Sequence, residues 1–414
     1  MRASIIIYTI LTLISPSLSL AKTTADEKQN IITPGTCPWD TTLRSPACPS
    51  ADFLREQDLT PPFSVSLSQS KQRVWKGPEH CVNGTCIFSN AVQNGGIALI
   101  TGAAHAKTIQ EYEIVADDGG GADPSSFVVE DVPGKGVGLR ATRFIAKGEV
   151  LMVRSPTLMV RTDSLEGMDD SVRDLMYEVA LARLPKSKRE AFDAQMGSGV
   201  HGKINTNSFQ MFVAAAGEQP ARHFGSYPDI ARMNHDCRPN MHYRIENMTI
   251  TSLAARDIHP GEELNVSYIN VFLTSKERKE RIRQWGFECA CSLCQAPRNE
   301  TAASDRRLRR IGQLKDDLNN FKEIKVTADT GAEYVALHEQ EGLHAHLGSA
   351  YTRAALNFAL FGDETRAREY ARRAVEELEM EKGPGCADAK AMRGLAENPK
   401  AHWTFGKRRT VEKS

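Results

Sequence analysis

The sequence predicts an α+β protein, on three observations. Residues 127–293 hold short apolar runs separated by Gly, Pro and Asn turns, the pattern of strands. Beyond Arg298 the apolar period is helical throughout, over 308–321, 333–361 and 365–380. Ahead of both, residues 22–123 are rich in Pro, Ser and Thr. They carry strand-like pieces such as 97–101 and close on Asp117-Asp118-Gly119-Gly120-Gly121, which reads as a linker. With 41% hydrophobic and 25% charged residues, the chain is neither low-complexity disorder nor a multi-span membrane protein. Its 52 basic and 52 acidic side chains cancel, which argues against direct nucleic-acid or anionic-membrane binding. The 414 residues allow two or three domains.

Taken in order, residues 1–21 carry Arg2, an apolar run over 5–14, Pro16 and the small-x-small ending Ser19-Leu20-Ala21, as a secretory signal peptide does. The apolar run is too short to span about 30 Å of hydrocarbon, so no membrane insertion is expected once it is removed. A leader that does not function would leave the protein nuclear or cytoplasmic. Cys37, Cys48, Cys81 and Cys86 form an even set suited to two disulfides, with three connectivities open. Asn83-Gly84 between the last two favours a tight turn and opens a sequon; Asn247, Asn265 and Asn299 open three more. Strands are expected at 127–129, 138–144, 150–153, 241–245, 249–253 and 264–268. A helical insert over about 161–207 interrupts them, its clearest helix ending before Pro185. The segment 347–379, turning at Gly362-Asp363, has the form of a tetratricopeptide-type hairpin.

Four blocks carry chemistry. Gly134-Lys135-Gly136-Val137-Gly138-Leu139 lets main chain approach a ligand and offer amide donors. Met233-Asn234-His235-Asp236-Cys237-Arg238-Pro239-Asn240 sets a carboxamide, an imidazole and a thiol between turn-formers. Pro260-Gly261-Glu262-Glu263-Leu264-Asn265-Val266-Ser267-Tyr268 delivers a strand ending in a phenol; neighbouring strand residues face opposite ways, so Glu262 and Glu263 suit a turn flank better than an acidic pair. Cys289-Ala290-Cys291-Ser292-Leu293-Cys294 gives three thiols on a loop too short to pair them all, which fits tetrahedral zinc with Cys237 as fourth ligand.

Together these blocks resemble SET-domain protein lysine methyltransferases, of the fungal type similar to SMYD enzymes, over about residues 127–293. The resemblance implies a β-rich SET domain (124–272) with a pseudoknot at 234–240, a post-SET zinc segment (273–298), a helical C-terminal region (299–414) and a small cysteine-containing N-terminal region. No MYND zinc module stands between Arg140 and His201, and Trp285 takes the place of a tyrosine that walls the lysine channel in many relatives. The resemblance further implies S-adenosylmethionine against Lys135, Gly136, Val137, Gly138, Asn234 and His235, with Phe287 on the adenine and Tyr268 at the reacting centre. Structural Zn2+ would lie on Cys237, Cys289, Cys291 and Cys294. The partner is a lysine-containing protein, histone or not, and the protein a monomer. A catalytically weak or inactive scaffold binding a protein partner through the helical region, and a secreted effector-like protein, are the alternative readings.

Overall fold

The computed structural model describes residues 75–92, 95–112, 124–320 and 323–408. The leader, Cys37, Cys48 and the glycine-rich linker lie outside the described residues. The protein is α+β, as expected. Its first part holds β1 (Lys76–Val82), β2 (Thr85–Asn90), β3 (Ile97–Gly102) and α1 (Ala103–Glu111). Then come β4 (Phe127–Val132), β5 (Gly136–Ala141), β6 (Val150–Arg154) and β7 (Leu158–Arg161). The insert supplies α2 (Thr162–Leu165), α3 (Asp170–Ala182), α4 (Lys186–Asp193) and α5 (Gly199–Asn207), followed by β8 (Ser208–Val213) and β9 (Ala221–Ser226). Next are β10 (Asn234–His235), β11 (Met241–Glu246), β12 (Thr249–Ala254), β13 (Glu263–Val266), α6 (Ser275–Ile282) and α7 (Ser292–Gln295). The remainder is α8 (Arg298–Asn319), α9 (Thr330–Gln340), α10 (Leu347–Leu360), α11 (Glu364–Lys382) and α12 (Ala387–Glu397).

The described residues form three sheets, ordered β1-β2-β3-β7-β9-β8, β10-β13-β5-β4 and β11-β12-β6. The first draws in the N-terminal strands. Its β3 pairs in parallel with β7, Ala98 opposite Leu158 and Ile100 opposite Val160, so 76–102 is built into the strand-rich body. Every residue of β2 and β3 is buried. The reason is a core on each face. Cys86, Phe88, Ile97 and Leu99 join the central core with Met159, Leu139 and Leu264. Their strand neighbours Ile87, Ala98 and Ile100 instead pack with Tyr177, Ala180 and Phe192 of the helical insert. A strand covered on both sides does not alternate, so its sequence reads as a plain apolar run. Cys81 and Cys86 are disulfide-bonded across the β1–β2 turn. There Asn83 and Gly84 both take positive φ, 48° and 79°, as a type I′ hairpin requires.

The helical region has its own core, centred on Ala350, Ala354 and Phe358 of α10 against Ala367, Ala371 and Ala374 of α11. Asp363 caps α11 by accepting from the Arg366 amide at 3.0 Å. The helix expected over 333–361 is two helices. Gly342 at φ 64° ends the first, with the Leu343 amide donating back to the His338 carbonyl at 3.0 Å, and a short 3-10 turn leads into α10. Among the described residues no helix is long and apolar enough to cross a membrane.

Small residues set how closely α10 and α11 approach. A Cβ on Gly348 would fall 2.8 Å from the Leu378 nitrogen and 2.9 Å from the Glu377 carbonyl carbon, main chain that cannot step aside. Gly348→Ala is therefore expected to lose about 1–3 kcal/mol of stability. Urea denaturation followed by circular dichroism measures it, and an unchanged midpoint would contradict the packing.

Candidate functional site

The sheet β10-β13-β5-β4 gathers residues from three of the four blocks. In its middle β13 runs antiparallel to β5, Leu264 opposite Leu139, and parallel to β10, Asn234 opposite Asn265 and His235 opposite Val266. The amide of Asp236 extends the second ladder to the Val266 carbonyl at 3.0 Å. Gly136 enters β5 at φ 75°, with open space where a side chain would stand. Gly138 has the opposite setting: a Cβ there would meet Val132 Cγ2 at 2.6 Å and Asn234 Nδ2 at 2.7 Å. Asn234 Nδ2 donates to Glu263 Oε1 at 3.0 Å and more distantly to the Val137 carbonyl at 3.4 Å. Lys135 Nζ donates to Glu263 Oε2 at 2.6 Å. Glu263 thus joins the Lys135–Gly138 segment to Asn234. Its neighbour Glu262 faces the other way, onto Arg256 Nη2 at 2.7 Å and the His259 amide at 2.7 Å. The opposite-face reading places Glu262 at the turn correctly, and misses Glu263 as a site residue.

Four aromatic rings follow one another at this site: Trp285 to Tyr268 at 6.0 Å, Tyr268 to His235 at 5.4 Å, and His235 to Phe287 at 6.3 Å between centroids. Phe287 remains 38% exposed and Val137 49%, so apolar surface is left open beside the buried imidazole. His235 Nδ1 accepts the Tyr268 amide at 3.1 Å, which leaves the ring proton on Nε2, 3.4 Å from Cys237 Sγ. Burial holds this imidazole at a pKa of about 4, so it is neutral at pH 7. With both nitrogens engaged it braces main chain and sulfur and is not free to act as a base. Tyr268 Oη donates to the Met233 carbonyl at 2.9 Å, and burial, with the charge of Glu263, pushes its pKa up to about 12.

The four cysteines meet as the spacing suggests. Cys237, Cys289, Cys291 and Cys294 place their sulfurs within 4.8 Å of one another. Cys237 Sγ lies 3.9 Å from Cys289 Sγ and 3.6 Å from Cys294 Sγ. A tetrahedron with zinc–sulfur bonds of about 2.3 Å has edges of about 3.8 Å, so the set fits a closed structural zinc site. Hydrogen bonds from the other three sulfurs, Cys237 first, hold the Cys294 thiol well below its usual range, and the Arg278 guanidinium adds to this. Arg278 was not anticipated. It is 1% exposed, its Nη1 donates to the Leu273 carbonyl at 2.8 Å, and its Nε and Nη2 find no hydrogen-bond partner among the described residues. Asn240 is a second such residue: its side chain donates to the Glu263 carbonyl at 2.9 Å and accepts the Asn265 amide at 3.0 Å, tying the loop after β10 to β13.

Comparison with protein families matches residues 136–269 to the SET domain. The chain carries a SET domain. That match runs from the Gly136 turn through Tyr268 and stops short of Cys289, Cys291 and Cys294. The chain is 24% identical over 292 residues to histone-lysine N-methyltransferase set5 of Schizosaccharomyces pombe, covering 67% of this chain and 85% of that protein. It is 30% identical over 162 residues to N-lysine methyltransferase SMYD2 of Sus scrofa, covering 37% of this chain. It is 32% identical over 124 residues to histone-lysine N-methyltransferase SMYD3 of Homo sapiens, covering 30%. Of the two SMYD proteins the chain spans only 36% and 28%.

Cys291→Ala removes one corner of the sulfur set beside the SET domain. Loss of bound zinc, read by elemental analysis of the purified chain, is the expected outcome; zinc retained at the wild-type level would refute the metal centre.

Proposed function

We propose that the chain is an S-adenosylmethionine-dependent protein lysine N-methyltransferase with structural zinc. The observation that supports this most is the convergence of the β5 glycines, Asn234, His235 and Tyr268 around one sheet beside open apolar surface. The relatives named histone-lysine N-methyltransferase and N-lysine methyltransferase agree with it. S-adenosylmethionine would supply an electrophilic methyl group on sulfonium, held by main chain at Lys135–Gly138 with Asn234 and His235 and covered by Phe287.

The residues of the chain then have separable tasks. The phenolic proton of Tyr268 is committed to the Met233 carbonyl, which leaves the oxygen lone pairs as acceptors. They can accept from an amine N–H and hold the nitrogen in line. With a pKa of about 12 the phenol stays protonated at neutral pH, so it orients the amine rather than ionising to take its proton. The lysine must arrive neutral. A free lysine, with a pKa of about 10.4, is neutral in only about one molecule in a thousand near pH 7. An apolar wall of Trp285 and Tyr268 lowers that pKa by desolvation. Trp285 supplies the bulk a tyrosine would, without a hydroxyl at that position.

Passage through the secretory pathway is proposed from the leader and the hairpin disulfide. Asn83, Asn247 and Asn299 are exposed and open to glycan. Asn265 is 8% exposed between β10 and β5 and bonded to Asn240, leaving no room for one.

Calorimetric titration with S-adenosylmethionine tests the reading directly: saturable binding is expected, and absence of binding by zinc-loaded protein would remove it. Tyr268→Phe should lower methyl transfer about 100-fold or more while leaving cofactor affinity within a few-fold; a peptide array with labelled cofactor, followed by kinetics on its best peptide, measures this. The rate should rise from about pH 7 to 9, following deprotonation of the substrate amine. Tyr268 and His235 lie outside that window, so Tyr268→Phe should lower the profile without changing its shape. A shifted basic limb in the variant would show that the phenol does ionise. Secreted protein should carry no glycan on Asn265, read by glycopeptide mass spectrometry.

A further inference from the structure

Cys237 is followed at once by Arg238, whose side chain ties the metal loop to the helical region. Arg238 Nη1 donates to the Cys237 carbonyl at 2.7 Å and to the Val271 carbonyl at 3.0 Å. Its Nη2 donates to Glu341 Oε2 at 2.7 Å. Glu341 lies at the C-terminal end of α9, over a hundred positions on, with its side chain 1% exposed. The same carboxylate accepts Ser304 Oγ at 2.8 Å and Arg307 Nε at 2.5 Å, both from α8. One buried anion therefore holds two guanidinium groups and a hydroxyl. The backbone joins the first of those guanidiniums directly to a sulfur ligand.

We infer that Glu341 of the helical region is a positioning residue for the metal centre, acting through Arg238 to fix the Cys237 main chain in the geometry the four sulfurs need. The inference rests on the zinc reading above. Physically, a carboxylate this deep is stable only with its cations in place, and the largely buried Arg238 in turn depends on the carboxylate. Withdrawing its charge frees Arg238 to seek water, and the Cys237 carbonyl it grips moves with it. Groups one shell out from a metal set its retention by about 10–100-fold. The helical region, which the SET match does not include, is on this reading part of the metal site's support.

The test uses the full chain loaded with zinc, and follows transfer of the metal to a chromophoric chelator. Glu341→Gln should release zinc about tenfold faster or more. Glu333→Gln, which breaks the exposed α8–α9 pair with Arg310, serves as the control and should leave release unchanged. In an Arg238→Met background the Glu341 change should add little, because the link it acts through is gone. Glu341→Asp, which keeps the charge, should restore part of the wild-type rate. Should Glu341→Gln fail to fold, Ser304→Ala removes a single hydrogen bond to the same carboxylate and should show a smaller acceleration. Equal release from Glu341→Gln and wild type, or full additivity with Arg238→Met, overturns the inference while leaving the zinc reading standing. Wild-type protein that binds no zinc overturns both.

Discussion

A strand of two residues cannot hold itself, and this protein stakes its candidate site on one. Asn234 and His235 make a ladder with β13 that is too short to persist on main-chain bonds alone. Side chains do the rest. Asn240 fastens the following loop to β13, His235 accepts the Tyr268 amide, and Cys237 reaches the sulfurs of 289–294. Each clamp joins stretches far apart in sequence. The cysteine segment adds its clamp through Cys237, from more than fifty positions further along the chain.

The polar groups at this centre show a division of labour set by burial. The imidazole and the phenol are both kept uncharged at neutral pH, one by a lowered pKa and the other by a raised one, and desolvation is the first cause in each. Charge is concentrated instead in the carboxylates of Glu263 and Glu341, each with cationic neighbours. Arg278 belongs to the same scheme. A fully buried guanidinium with two idle nitrogens is costly in an apolar setting, and the lowered Cys294 thiol beside it offsets part of that cost.

Much of this was legible in the chain. The strands at 127–129, 150–153, 241–245 and 249–253 announce themselves because each is a short β-prone run with a turn beside it. The four chemical blocks do so because their residue types recur at short spacing. What stayed hidden shares one cause, a partner distant in sequence. The strands β1 and β2 gain their order from the sheet they join, and β7 and β9 from lying between β3 and β8. Glu263, Asn240, Arg278 and Glu341 look like ordinary surface or turn residues until the fold shows what they face. The break at Gly342 was visible as a glycine, but a helical period on both sides masked it, and only the left-handed φ reveals the stop.

The pairing of β3 with β7 reaches beyond architecture. Recognisable family sequence begins at Gly136, yet the sheet that flanks it begins at Lys76. A polypeptide cut to the familiar segment would lay bare the row of amides and carbonyls along Leu158–Arg161, together with the apolar face that Ile87 and Ile100 now cover. Such a fragment has the makings of a sticky edge, ready to recruit strands from its neighbours. The stretch ahead of the signature is the selvage that keeps this fabric from unravelling into its surroundings.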